Sequence, residues 1–180
     1  VKMAVDCNGS VDDRSKDAGR FTSERCLDLV HQMRAESDAI LVGVETIVRD
    51  DPSLLASRVE TSKQPLRIVI DPNARIPAQC QVLTDGKETL VLQDDFRDLA
   101  NVLNRLGDMQ IQTLMVEGGP KTIKHFLDAK LVDDFFLVQS SIEHQTPYDS
   151  GINSQILTQA GLIRADDREW GEETVQYWSR

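Results

Sequence analysis

Residues 113–123 read TLMVEGGPKTI and join a strand pattern to a helix pattern. The apolar run Thr113–Val116 predicts a β-strand, and Pro120 is typical of the first turn of an α-helix. Gly118 and Gly119 connect the two. The stretch therefore predicts a strand that passes through a tight turn into a helix, the repeating unit of an α/β domain.

Strands and helices alternate along the chain on both sides of this unit. The continuous apolar run Ala39–Gly43 is typical of a strand buried on both faces of a parallel sheet, and Leu66–Ile70 is predicted to be another buried strand. Further strands are predicted at Val1–Cys7, Thr89–Leu92, Asp134–Val138 and Thr174–Trp178. One helix is predicted from a cap at Thr22 or Ser23 through Arg34, and another from a cap at Asp94 or Asp95 to Gly107.

The expected fold is one α/β domain over residues 1–180, with a mixed, mostly parallel sheet flanked by helices. No helix pattern separates the last two predicted strands, so we expect them to be antiparallel at an edge. Residues 10–19 are predicted to be a polar loop, and the acidic stretch Asp166–Glu169 a solvated hairpin or loop.

Composition excludes several classes of function. The net charge of −10 argues against nucleic acid as a partner, because duplex binding needs a basic surface. No apolar run approaches the roughly 20 residues of a membrane helix, and no signal-peptide pattern is visible, so we expect a cytoplasmic location. The three cysteines and three histidines are scattered, which predicts neither a disulfide framework nor a bound metal.

The segment from Glu117 to Lys121 is the first candidate site. Backbone N–H groups at a helix N-terminus can bind phosphate, and Lys121 and Lys124 add positive charge. Two glycines can equally serve close packing of a strand against a helix, and the pattern alone leaves both interpretations open. Glu117 stands where open α/β sheets bind ligands, although a local cap or salt bridge would place it there too.

A second candidate segment, Gly43–Leu54, also follows a buried strand. Thr46 and Asp50 are four residues apart and would share one face of a helical turn. Asp50-Asp51-Pro52 is by turn chemistry more typical of a helix stop than of a site. Arg34 and Arg58 are candidates for binding a substrate phosphate, since a guanidinium binds phosphate bidentately, but each could also be a solvated surface residue.

These segments together resemble the pyrimidine reductases of riboflavin biosynthesis. The resemblance rests on blocks that occur in the family's order: Lys2–Gly9, Phe21–Ser23, Met33–Gly43, Thr46–Leu54, Arg67–Asp71, Val116–Pro120 and Leu131–Asp134. It implies a fold similar to dihydrofolate reductase, a homodimer, and a plastid location if the source is a photosynthetic eukaryote. It also implies NADPH-dependent reduction of a ribosylamino-pyrimidine 5′-phosphate to the ribitylamino product.

The resemblance further implies roles for individual positions. Lys2 and Glu117 would be catalytic, with Lys2 near the ring oxygen of the opening sugar, on strands expected to meet at one edge of the sheet. The positions expected to contact NADPH are Val5, Thr46, Asp50, Gly119, Pro120, Lys121, Thr122 and Ile123. Those expected to hold the substrate are Arg34, Leu54, Arg58 and Glu117.

The chain departs from the family's pattern at several positions. Asp6, Asn8, Arg20 and Pro72 replace the residues usual there, and the family's Pro-Lys pair is missing after Val138. The zinc signature of the deaminases that accompany some members is also missing from this sequence. Two alternatives therefore remain: a catalytically degenerate relative that serves as a binding or dimerisation module, and a reductase of the same fold with another substrate.

Overall fold

The computed structural model describes residues 1–14, 19, 21–93 and 98–180. They form two compact units, residues 1–29 with 123–180 and residues 30–122. The elements in chain order are β1 (Lys2–Val5), β2 (Ser10–Asp13), α1 (Glu24–Glu36), β3 (Ala39–Gly43), α2 (Val44–Asp50), β4 (Leu66–Ile70), α3 (Gln81–Thr84), β5 (Thr89–Leu92), α4 (Leu99–Asp108), β6 (Leu114–Val116), α5 (Pro120–Asp128), β7 (Asp134–Gln139), β8 (Pro147–Asp149), α6 (Ser154–Gln159), β9 (Ile163–Trp170) and β10 (Glu173–Ser179). In these ranges no helix is long and apolar enough to cross a membrane. That residues 1–180 act as one domain stays a prediction.

The unit of residues 30–122 is built on four parallel strands in the order β5-β4-β3-β6. The side chains of Ala39–Val42 in β3 are 0% exposed, and β4 is buried from Arg67 to Ile70. Burial on both faces explains why these strands, apart from Arg67 in β4, are apolar throughout rather than alternating. The predicted buried parallel strands are confirmed.

The unit of residues 1–29 and 123–180 contains a mixed sheet in the order β1-β7-β10-β9. β1 runs parallel to β7, and β10 is antiparallel to both of its neighbours, as expected. The expected place at an edge is wrong, because β7 and β10 are inner strands and the edge strands are β1 and β9. The Val1 ammonium donates to the Asp134 carbonyl at 2.7 Å, and the Phe136 N–H donates to the Val1 carbonyl at 2.8 Å. The start of β1 is therefore hydrogen-bonded to β7. Together the two sheets confirm the predicted α/β class with mixed, mostly parallel strands.

Two parts of the predicted outline are wrong, one at β2 and one at α6. Ser10–Asp13, expected in a loop, forms β2 and pairs with β8. By contrast, residues 166–169 lie inside β9, which is exposed at every residue except Trp170 and forms a hairpin with β10, so the predicted solvated hairpin is confirmed. No apolar alternation marks β9 as a strand, and it is held in place by pairing with β10 across a turn at Gly171, where φ is +75°. The helix α6, unexpected between β7 and β10, is too short to give a helical period, and only its cap Asn153 signals it.

The predicted helix starts are confirmed where the structure describes them. The Ser23 hydroxyl accepts the Cys26 N–H at 3.2 Å and so caps α1. α5 begins at Pro120, and its predicted inner face, Ile123, Phe126 and Leu127, is buried. α4 has Asp98 as its cap, which accepts the Asn101 N–H, whereas the predicted caps Asp94 and Asp95 lie outside the described residues.

Candidate active site

Three segments follow strands of the parallel sheet in residues 30–122. α2 begins directly after β3, Asp71 follows β4, and Glu117 follows β6. The carboxyl ends of parallel strands meet at one edge, the edge at which open α/β sheets bind ligands. The structure therefore brings α2 and the turn at Glu117 to the same edge of this sheet.

The two glycines of the turn have different surroundings. A Cβ at Gly118 would lie 2.8 Å from the Thr122 Cβ, and a Cβ at Gly43 would lie 2.5 Å from the Thr122 Oγ1. Both glycines thus permit close packing against Thr122, which is 9% exposed. A Cβ at Gly119 would meet no atom within 4 Å. Of the two interpretations of the turn, packing therefore applies to Gly118, and Gly119 has the open backbone that a phosphate site requires.

Thr46 and Asp50 lie on α2, four residues apart, as the sequence predicted. Thr46 is half-buried and Asp50 is exposed. The helix ends at Asp51, whose φ of +39° is left-handed, so the acidic pair and Pro52 do stop the helix. Glu45 in the first turn forms an exposed ion pair with Arg75 at 2.6 Å.

Arg34 and Glu117, predicted separately as substrate residues, are joined in a bidentate ion pair. The Arg34 Nε and Nη2 donate to the two carboxylate oxygens of Glu117 at 2.7 and 2.8 Å, and Nη1 donates to the Leu55 carbonyl at 3.2 Å. The side chains are 14% and 9% exposed. Burial opposes the charge on Arg34, but the hydrogen bonds and charge of Glu117 outweigh it and raise the pKa of the guanidinium. The pair is therefore a charged, fixed feature of the edge.

The other predicted substrate residues of this unit differ in exposure. Leu54 is 2% exposed and has a left-handed φ of +58°, so it offers almost no surface to a ligand. Arg58 is exposed. A substrate contact at Leu54 stays a prediction that this burial does not favour.

Lys2, Val5 and Ile123 belong to the other unit. Lys2 is half-buried in β1 and is aligned with Phe136 of β7. Val5 is 3% exposed and Ile123 is 0% exposed, so the side chains of these two predicted cofactor residues are in the core. The prediction that the strands of Lys2 and Glu117 meet at one edge of a single sheet is wrong, because β1 and β6 belong to separate sheets. The expected proximity of the two residues themselves stays a prediction, since they lie in different units.

The charge of Lys2 also affects the pKa of Cys26, a buried thiol in its own unit. Burial raises the pKa of the Cys26 thiol to about 11, the charge of Lys2 partly opposes this rise, and Glu173 adds to it. At neutral pH Cys26 is thus an unreactive thiol.

Two buried charged residues in or next to β4 were not predicted as functional residues. Arg67 in β4 is 0% exposed and donates both to Asp85 and to main-chain carbonyls. Asp71 is also 0% exposed; its Oδ2 accepts the Ile76 N–H, and its Oδ1 has no hydrogen-bond partner among the described residues. A charged residue inside an otherwise apolar strand was the available signal, because a buried charge requires partners.

The departures from the family's pattern have local consequences. Asp6 is 0% exposed and accepts the N–H groups of Asn8 and Ser10 at 2.8 Å and that of His144 at 3.0 Å. Burial opposes its charge, but these hydrogen bonds outweigh it and lower the pKa of Asp6. Pro72 is exposed in the turn after β4, and Arg20 lies outside the described residues.

Comparison with known proteins gives a consistent result. The family model described as the RibD C-terminal domain matches residues 1–142. The riboflavin biosynthesis protein RibD of Aquifex aeolicus is 32% identical over 153 residues, which cover 74% of this chain and 43% of that protein. The 2,5-diamino-6-ribosylamino-4(3H)-pyrimidinone 5′-phosphate reductase of Archaeoglobus fulgidus is 30% identical over 165 residues, covering 74% of this chain and 75% of that protein.

Solved structures share the fold at lower identity. A deaminase/5-amino-6-(5-phosphoribosylamino)uracil reductase from Thermotoga maritima aligns over 99% of this chain and 55% of its own, with a TM-score of 0.83 and 22% identity. A riboflavin biosynthesis reductase from Saccharomyces cerevisiae aligns over 99% of this chain and 87% of its own, with a TM-score of 0.69 and 16% identity. The chain thus spans about half the length of some of its relatives and most of the length of others.

Proposed function

The chain belongs to the RibD C-terminal domain family, and on this premise we propose that it reduces a ribosylamino-pyrimidine 5′-phosphate to the ribitylamino product with NADPH. Relatives whose names describe a reductase of such a substrate are 29% to 32% identical to it. The observation that carries the proposal is the buried Arg34–Glu117 pair beside the open backbone of Gly119.

The Arg34–Glu117 pair supports binding of a phosphorylated, polyhydroxylated substrate. Among the residues that the structure describes, Arg34 uses three of its five N–H groups on Glu117 and Leu55, which leaves two to donate to a phosphate or a hydroxyl. Glu117 holds the plane of the guanidinium, and a preformed donor group loses little side-chain freedom on binding. The pair therefore combines fixed positive charge with fixed geometry.

The turn at Gly119 supports binding of a dinucleotide phosphate. The open space at Gly119 lets a phosphate approach the main chain, and the N–H groups in the first turn of α5 after Pro120 have no acceptor within the helix. Lys121 is exposed and adds positive charge, whereas Lys124 is engaged with Asp128 at 2.7 Å. NADPH bound there would supply the hydride for the first carbon of the sugar.

Lys2 would supply the proton that ring opening requires. As the bond between the sugar's first carbon and the ring oxygen breaks, that oxygen gains a proton, and a lysine ammonium can donate it. The half-buried Thr46 and the exposed Asp50 of α2 would contact the cofactor, and Glu117 would also orient the hydroxyls of the opened sugar.

The test is oxidation of NADPH by the purified chain, measured with the ribosylamino-pyrimidine 5′-phosphate present and absent. We expect substrate-dependent oxidation, a much weaker rate with NADH, and loss of the rate in Glu117→Gln. Calorimetric titration with NADPH alone separates the alternatives. Binding without turnover would indicate a reductase with another substrate, and no binding at all would indicate a degenerate module.

A further inference from the structure

The loop Asp51–Ala56, which we call the anchored loop, has an unusual backbone. Asp51 and Leu54 adopt left-handed φ values of +39° and +58°. Non-glycine residues hold such conformations only where the surrounding structure fixes them. The loop follows α2, and Ala56 at its end is 0% exposed.

Side chains from four separate segments hold the main chain of this loop. The bonds are Gln81 to the Asp51 carbonyl, Arg67 to the Ser53 carbonyl at 3.0 Å, Arg34 to the Leu55 carbonyl at 3.2 Å, and the Ala56 N–H to the Gln64 Oε1 at 2.8 Å. Three alternate carbonyls of the loop are thus each fixed by a different long side chain. A connection that only had to cross the surface would leave these carbonyls to water.

Arg67 is the most deeply buried of the four. It donates to both oxygens of Asp85 at 2.6 and 2.8 Å and to the Val82 and Lys87 carbonyls. Its partner in the anchored loop is the Ser53 carbonyl, and its other partners lie between residues 82 and 88. Burying a charged pair is weak evidence for stability, because apolar residues of similar size serve a core equally well. An apolar residue at position 67, however, could not donate a hydrogen bond to the Ser53 carbonyl.

We propose that Arg67 is a positioning residue that acts on the Arg34–Glu117 pair through the anchored loop. Arg67 fixes the Ser53 carbonyl, the left-handed Leu54 turns the chain, and the Leu55 carbonyl then accepts from the Arg34 Nη1. That bond sets the plane in which the guanidinium meets Glu117 and leaves its free N–H groups pointing in one direction. The consequence for catalysis rests on the proposed function, but the positioning of Arg34 does not.

The principal variant is Arg67→Lys, and the first measurement needs no ligand. A lysine can keep the charge beside Asp85, but one ammonium cannot replace the planar fork that reaches Asp85 and the Ser53 carbonyl together. We expect the Ala56 amide to exchange with deuterium at least about tenfold faster, and the Arg34 Nε–H resonance to shift or broaden, in a folded protein. Arg164→Lys is the control, because Arg164 is an exposed arginine paired with Asp167.

The second measurement is steady-state kinetics. Arg67→Lys should raise the substrate KM roughly tenfold, with a smaller change in kcat and an unchanged Kd for NADPH. A tenfold change in KM is within the usual range of coupling energies between residues of one hydrogen-bond network. In a double-mutant cycle with Arg34→Lys, the second substitution should add little to the first. A residue that only stabilised the fold would give additive effects and would change both ligands alike.

Gln64 provides an independent test if Arg67→Lys does not fold. Gln64→Leu leaves the Arg67–Asp85 pair intact but removes the acceptor for the Ala56 N–H, and Gln64→Glu restores an acceptor. We expect Gln64→Leu to shift the Arg34 resonance and raise KM, and Gln64→Glu to reverse both. An unchanged Arg34 resonance in folded Arg67→Lys or Gln64→Leu would overturn the proposal. A shifted resonance in a protein that has no reductase activity would instead reject the proposed function and leave the positioning intact.

Discussion

At the scale of single residues, the site is dominated by one pair whose members the sequence presented as unrelated. Arg34 lies on α1 and Glu117 follows β6, 83 positions apart. Each residue could be selected from its position and from the family resemblance. Their pairing could not, because it is a contact between distant parts of the chain that no local sequence pattern records. The burial of Leu54 could not be predicted either, because it also depends on contacts that no local sequence pattern records.

Removal of Arg34 should affect both binding and stability. Arg34→Ala should raise the substrate KM by about one to two decades, the usual value of a charge-assisted bond, with little change in NADPH affinity. It should also destabilise the fold by about 3–5 kcal/mol, because the buried Glu117 carboxylate loses its guanidinium. Urea unfolding and steady-state kinetics measure the two effects.

The double variant Arg34→Met with Glu117→Gln separates these effects. With both charges removed, the stability should largely return, while the substrate KM stays high. If Arg34→Ala weakens substrate and NADPH equally, the arginine serves the fold alone and is not a substrate residue.

Lys2 is expected to act on the chemical step. Lys2→Met should lower kcat by about 10²–10⁴-fold, the usual range for general acid catalysis, and change KM little. The start of β1 is tied to β7 by two main-chain bonds, so a frayed terminus does not explain such a loss. Lys63→Met, at a lysine 68% exposed, is the control. A Lys2→Met enzyme with wild-type kcat would assign the proton to water.

At the scale of elements, the strands of residues 30–122 were predictable, whereas β9, at one edge of the other sheet, was not. β3 and β4 are buried on both faces, so their composition alone identifies them. β9 is charged and exposed, and it exists because β10 offers it a partner. The sequence likewise could not show whether Gly118 and Gly119 serve packing or phosphate binding. The answer depends on a neighbouring side chain, because Thr122 leaves no room for a Cβ at Gly118 but does not contact one at Gly119.

The turn before α5 gives a prediction with a matched control at the adjacent position. Gly118→Ala should cost about 1–3 kcal/mol of stability, because its Cβ would overlap the Thr122 side chain. Gly119→Ala should fold normally, and Gly119→Val should weaken NADPH binding by filling the space beside the main chain. Thermal unfolding and a fluorescence titration with NADPH measure the two effects. Unchanged NADPH affinity in folded Gly119→Val would remove this turn from the cofactor site.

At the scale of the whole molecule, a net charge of −10 is combined with carboxylates that are held ionised in the folded state. The Arg67 hydrogen bonds lower the pKa of Asp85 to about 2 despite the opposing effect of burial. Hydrogen bonds from Lys63, Gln112 and Thr113 hold the pKa of Asp38 well below its usual range. Each such group favours folding while it is ionised, so acid should unfold the protein by protonating them.

The acid sensitivity should therefore depend on Asp85. A carboxylate with a folded pKa near 2 and an unfolded pKa near 3.9 contributes stability that is complete above about pH 5. That contribution is lost as the pH falls through 4 toward 2, and the shift in pKa corresponds to at most about 3 kcal/mol. Asp85→Asn should thus be less stable at pH 7, because Arg67 loses its carboxylate, and should show a smaller further loss of stability between pH 5 and pH 3.

Urea unfolding at a series of pH values measures how the stability of wild type and of Asp85→Asn depends on pH, with Asp149→Asn, at an exposed aspartate, as the control. Parallel pH profiles for wild type and Asp85→Asn would mean that the Arg67–Asp85 pair does not govern the acid response.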